Sequence, residues 1–256
     1  MPTWDPTRYL QFADDRSRPF VDLVARVEGE PRTIVDLGCG PGHLTPVLQS
    51  RWPDATVHGV DSSAEMIERA LASTVDDSVT YELADVATWS PSGPVDLMVS
   101  NALLQWVPDP LAVVTRLAGH VVEGGSFALQ VPRNYGSPSH TLLRDIAAEP
   151  PYAEHTRDIV ADRGTAPYAW LELFADLGWD VDLWETEYAH VLPGDDPVLD
   201  WVSGTGARPY LQALPDELRE DFVLAYRDAL REAYPRRSFG TVFPFLRTFV
   251  VARRAS

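Results

Sequence analysis

The feature that most constrains this chain is the run Asp36-Leu37-Gly38-Cys39-Gly40-Pro41-Gly42. It grows out of Thr33-Ile34-Val35-Asp36-Leu37, which reads as a short buried strand, and leads into a helix-like stretch at 43–51. Glycine permits positive φ and lets a ligand approach the backbone closely. A loop that ends on a helix N-terminus also offers free N–H groups and the positive end of a dipole. The dinucleotide fingerprint would require a further glycine at position 43, where His43 stands, so the loop fits a dehydrogenase poorly.

Further apolar runs follow at 56–60, 79–83, 95–99 and 126–131, with helical stretches at 16–28, 63–73 and 109–121 between and before them. Ser62 or Ser63 suits a helix cap at the start of 63–73. Gly124-Gly125 reads as a break between the last of these helices and the fifth strand. Strands separated by helices of this length imply right-handed βαβ units and a mostly parallel sheet. Beyond Pro132 the pattern changes. Residues 133–165 show weak periodicity, helices are expected at 167–177, 197–204 and 215–234, and strands at 180–187 and 243–252. No repeat or long linker divides the 256 residues. The expectation is one α/β domain over 1–256, with a helical cap from 1–18, 133–165 and 189–240 over the carboxyl ends of the strands, where open sheets bind ligands.

Two carboxylates keep step with the loop. Asp61 ends the second strand and Asp85 follows the third. An acid at the end of the second strand can accept both hydroxyls of a ribose, and one after the third can accept a purine amine. Composition narrows the ligands. Acidic residues number 38 against 21 basic ones, a net charge of −17, and all the basic residues are arginine. A field of that sign repels nucleic acid and anionic membrane surfaces. Without lysine there is no Schiff-base chemistry, and an anion must be held by arginine, backbone N–H groups or hydroxyls. One cysteine excludes an intramolecular disulfide, and no His or Asp pair shows metal-ligand spacing. With no apolar run of about 18 residues and no signal-like start, a cytoplasmic protein is expected, and a monomer is the expected state.

Val35 to Gly42 resembles motif I of the class I S-adenosylmethionine-dependent methyltransferases. The resemblance implies a Rossmann-like, doubly wound seven-stranded sheet, mostly parallel with an antiparallel last strand. It implies S-adenosylmethionine as donor, S-adenosylhomocysteine as product, and a donor site built from Asp36, Gly38, Cys39, Gly40, Asp61, Ser62, Met66, Asp85, Val86, Asn101, Gln105 and Trp106. Enzymes of this family that methylate nucleic-acid bases carry Asn/Asp-Pro-Pro-aromatic after the fourth strand. Here Asn101 is followed by Ala102 and Leu103, which disfavours a base as acceptor.

Other stretches resemble the branch of the family that esterifies small polycarboxylic acids. They include Trp4-Asp5-Pro6 with Tyr9, Arg16 to Pro19, Gln49 to Pro53, Gly59 to Ser63, Asn101 to Pro108, Asp200 to Val202, Thr205-Gly206 with Arg208-Pro209, and Phe249 to Arg254. This implies methyl transfer to a carboxylate of trans-aconitate, giving a monomethyl ester. A carboxylate is ionised at neutral pH and is its own nucleophile, so no catalytic base is expected. The acceptor's other carboxylates suit arginine. The candidates are Arg16, Arg18, Arg133, Arg144, Arg163, Arg208 and Arg247, with Arg208 leading, and beside them Tyr9 and Tyr210. Trp4, Tyr9 and Phe12 suit a lid, His43 a helix surface, His140 and His190 ordinary polar roles, and Cys39 a buried filler. Two readings stay open: methyl transfer to another small acid, a phenol or an amine, and a non-catalytic donor-binding protein.

Overall fold

Val35 to Leu37 are buried because the strand they belong to lies in the middle of a sheet covered on both faces. A computed structural model of the chain describes residues 13–74, 77–159 and 164–255. Its seven strands are β1 (Thr33–Leu37), β2 (Thr56–Asp61), β3 (Val79–Leu83), β4 (Val95–Asn101), β5 (Val121–Pro132), β6 (Trp179–Leu192) and β7 (Thr241–Arg254). They form one sheet in the order β3-β2-β1-β4-β5-β7-β6. The pairs β1–β2, β1–β4, β2–β3 and β4–β5 are parallel. β7 runs against β5: the Arg133 amide donates to Leu246 O and the Arg254 guanidinium donates to Val121 O. The expected sheet is therefore present, with its last strand inserted antiparallel.

The helices in chain order are α1 (Ala13–Ala25), α2 (Thr45–Arg51), α3 (Ala64–Ser73), α4 (Pro110–Ala118), α5 (Pro138–Ala147), α6 (Ala153–Thr156), α7 (Pro167–Asp176), α8 (Pro197–Ser203), α9 (Arg208–Ala213) and α10 (Asp216–Ala233). Two compact units share them. Of the described residues, the larger comprises 13–74, 77–132, 165–186 and 248–255, and the smaller 133–159, 164 and 187–247. In the larger unit, Leu37, Met98, Phe127 and Leu129 of the sheet pack with Val114 and Leu117 of α4 and with Trp170 and Phe174 of α7. Each such side chain contributes roughly 1.5–3 kcal/mol by leaving water. In the smaller unit, Trp201, His190, Phe243 and Phe245 form an aromatic cluster.

Three local expectations are corrected. Residues 133–165 are not irregular throughout, since α5 lies within them. Its buried stripe is Ser139, Leu143 and Ala147, only one of them strongly apolar, so hydrophobic periodicity is faint. Hydrogen bonds fasten it instead: the Ser139 amide donates to the Tyr234 hydroxyl, and the Tyr226 hydroxyl donates to Ser139 O. Gly124-Gly125 does not separate helix from strand, because β5 already begins at Val121. The register between β4 and β5 shifts here, and a Cβ on Gly125 would stand 2.8 Å from Asp96 O, so the glycines serve a bulge. His43 is not on a helix surface. It precedes α2 and is half-buried, and burial lowers its pKa. Among the described residues, no helix is long and apolar enough to cross a membrane.

Candidate functional site

The loop after β1 is held from both sides. The amides of Gly38 and Cys39 both donate to Val60 O on β2. Asp61, at the end of β2, accepts from the Gly40 amide at 2.9 Å through one carboxylate oxygen and from the Ser63 amide at 2.9 Å through the other. One aspartate thus ties the loop to the start of α3, where Ser63 caps the helix by accepting from the Met66 amide. Ser62 is exposed beside it, and Met66 is buried. Asp36 lies beneath the loop, 3% exposed. Burial, with the nearby Asp61, raises its carboxyl from the ordinary 3.8 to about 7. Burial also drives the Cys39 thiol far above its ordinary range, so it is a poor nucleophile.

Gly40 and Gly42 differ in what their missing side chains make room for. Gly40, at φ 56°, has nothing within 4 Å of where a Cβ would stand, so its surface is open to a ligand. Gly42, at φ 75°, would place a Cβ 2.5 Å from the Tyr81 hydroxyl. Tyr81 lies on β3 beside Gly59 of β2, and its hydroxyl is 2.9 Å from Thr45 Oγ1 at the start of α2. Sequence reasoning missed this tyrosine.

The segment after β4 reaches the same loop, because Leu103 packs against Gly38. Asn101 accepts from the Gln130 side-chain amide of β5, and Ala102 takes a left-handed φ of 55°. Leu104–Trp106 forms a 3₁₀ turn. The Gln105 amide donates to Ala102 O at 2.7 Å, while its buried Oε1 has no partner among the described residues. A buried acceptor in that condition favours a ligand donor. Trp106 is 44% exposed. Asp85 is exposed and closes a turn by accepting from the Ala87 amide, and Val86 belongs to the core.

The structure thus brings Asp36, Gly38, Cys39, Gly40, Asp61 and Ser62 together, with the 101–106 segment packed on the loop. The acceptor candidates are divided between the two units. Arg133, Arg208 and Tyr210 belong to the smaller unit, whereas Arg18 is exposed on α1 of the larger. Trp4, Tyr9, Phe12 and Arg163 lie outside the described residues. Arg208 opens α9, half-buried, and Tyr210 is buried. Of the histidines, His190 stacks on Trp201, and burial with the nearby Arg144 lowers the His140 pKa to about 4.

A sheet in this order, with an open glycine loop after its first strand and an acid at the end of its second, has the architecture of a class I methyltransferase. A family model described as a methyltransferase domain matches residues 9–163. A Streptomyces avermitilis protein named trans-aconitate 2-methyltransferase is 46% identical over 99% of this chain and 98% of its own length. An Azoarcus protein of the same name is 44% identical over 99% of this chain and 100% of its own. Among solved structures, a Haemonchus contortus phosphoethanolamine N-methyltransferase with bound S-adenosylhomocysteine aligns with a TM-score of 0.56 at 15% identity, over 93% of this chain and 53% of its own, a likeness of fold. The chain belongs to the methyltransferase family, and within it to the trans-aconitate 2-methyltransferases.

Proposed function

We propose that this protein transfers the methyl group of S-adenosylmethionine to one carboxylate of trans-aconitate, giving a monomethyl ester. The observation that carries this is near-full-length identity to relatives of that name, through the smaller unit as well as the larger. The residues present fit the donor. Gly40 leaves open space at the loop, and Gln105 keeps a buried acceptor atom. Asp61, although it holds two amides, retains lone pairs for ribose hydroxyls. When bound, the donor supplies an electrophilic methyl carbon on a sulfonium. Asp36 beneath the loop is favoured in its ionised form by a nearby cation.

The acceptor carboxylate needs no base, because it is ionised at neutral pH. This agrees with a loop whose thiol is held protonated and whose His43 is held neutral by burial. Catalysis by this chain is then positioning, which can supply roughly 7–11 kcal/mol of the barrier. The test is an acceptor screen with labelled donor against trans-aconitate, cis-aconitate, isocitrate and citrate. Trans-aconitate should be esterified fastest, and labelling of none of these acids alongside a phenol or amine overturns the reading. Asp61→Ala should weaken donor binding by about 2 kcal/mol, the value of hydrogen bonds to a charged acceptor. Titration calorimetry that finds unchanged affinity removes Asp61 from the donor site.

A further inference from the structure

A triacid esterified at one carboxylate keeps two negative charges, which a chain without lysine must meet with arginine or neutral donors. Four arginines of the smaller unit are engaged by aspartates: Arg219 by Asp216, Arg227 by Asp228, Arg231 by Asp196 and Arg236 by Asp195. Arg144 on α5, like Arg157, Arg208 and Arg237, has no such aspartate among the described residues. It is half-buried, its Nη1 donates to Tyr135 O at 3.0 Å, and among the described residues no carboxylate pairs with it. In a molecule with 17 excess negative charges, a partly buried guanidinium left clear of acids is a site available to a foreign anion.

Its surroundings suit a carboxylate. Burial lowers the His140 pKa and the Arg144 charge adds to this, whereas burial raises the Tyr210 pKa and the Arg144 charge opposes that rise, so both groups lie within reach of the guanidinium. The Tyr135 ring meets His140 edge-on at 5.6 Å, and the His140 imidazole stays neutral at pH 7. One residue before Tyr135, Asn134 is 4% exposed, and its side-chain amide nitrogen has no partner among the described residues. A buried amide donor left unsatisfied is costly unless a ligand completes it. We propose that Arg144, with the Tyr210 hydroxyl and the Asn134 amide, anchors a carboxylate of the acceptor that is not methylated. The anchor discriminates tricarboxylates from acids with fewer charges. It rests on the proposed reaction for its physiological ligand, although its binding can be read without turnover.

The experiment compares wild type with Arg144→Lys and the milder Tyr210→Phe. It measures kinetics for trans-aconitate and for a dicarboxylate lacking one arm, and calorimetric binding of the same acids and of the donor. Arg144→Lys keeps the charge and loses the planar fork, so the KM for trans-aconitate should rise roughly 10- to 100-fold with donor affinity within about twofold. The preference for the triacid over the diacid should collapse, which a general loss of structure would not produce. Tyr210→Phe should move acceptor KM in the same direction by less. Transfer with both variants indistinguishable from wild type overturns the anchor and leaves the reaction standing. Arg144-dependent binding of triacid without any transfer keeps the anchor and overturns the reaction. Neither binding nor transfer by wild type overturns both.

Discussion

Asp36 is a carboxyl group kept out of water beneath the glycine loop. Its pKa, raised by burial and by Asp61 to about 7, means that the folded state holds this proton where the unfolded chain, with an ordinary 3.8, has released it. Folding therefore takes up a proton between these values, and stability falls as pH rises from about 4 to about 7. Asp36→Asn removes the linkage. At pH 8 its melting temperature should exceed that of wild type, and the difference should vanish near pH 4. If the proposed donor site holds, the same group should couple to the donor. A bound cation favours the ionised carboxylate, so wild-type donor affinity should increase with pH towards 7 and binding should release protons below it. The variant should bind more weakly with a flatter profile. Calorimetry in two buffers of different ionisation enthalpy measures this release, and equal proton release in both proteins removes Asp36 from the linkage.

Tyr81 shows how one strand disciplines its neighbours. β3 is the outermost strand on its side of the sheet, and its register places Tyr81 beside Gly59 of β2. A Cβ on Gly59 would stand 2.6 Å from the ring, and the hydroxyl reaches over Gly42 to Thr45. The phenol thus pins the end of the loop and the first turn of α2. Tyr81→Phe should lower stability by about 0.5–1.5 kcal/mol, one hydrogen bond's net worth, and raise the donor KM several-fold while the acceptor KM holds. Gly59→Ala should be the harsher lesion, because ring and Cβ cannot both fit. Denaturant unfolding with steady-state kinetics measures both, and an unchanged donor KM in Tyr81→Phe would show that the loop keeps its shape without the clamp. The glycine loop of the candidate site was legible in the sequence because its glycines and Asp61 stand at fixed distances along the chain. Tyr81 was not, because an aromatic in an alternating strand reads as packing and only the register reveals the glycines it covers. The five parallel strands were visible as apolar runs. α5 was hidden because serine and alanine line its buried face and tyrosine hydroxyls, rather than apolar contacts, hold it.

Charge belongs to the molecule as a whole, and here it opposes the proposed chemistry. A net −17 repels a tricarboxylate at a distance, whereas individual guanidinium groups attract it at contact. Ionic strength separates the two ranges. At 0.01 M salt the Debye length is about 30 Å, so the field of the entire protein reaches an approaching anion; at 0.15 M it is about 8 Å, and local arginines dominate. Raising salt across this interval should therefore increase kcat/KM for the triacid, the reverse of an enzyme whose surface carries the sign opposite to its substrate. S-adenosylmethionine carries one net positive charge, so its KM should rise over the same interval. The opposed responses form an internal control, because a salt effect on folding or viscosity would move both substrates together. Steady-state kinetics at fixed pH, with chloride as the varied anion and a second anion as a check on competition, measures the two slopes. A triacid kcat/KM that falls from the lowest salt onward would mean that local arginines govern the approach as well as the contact. The global field would then have no part in selecting the acceptor.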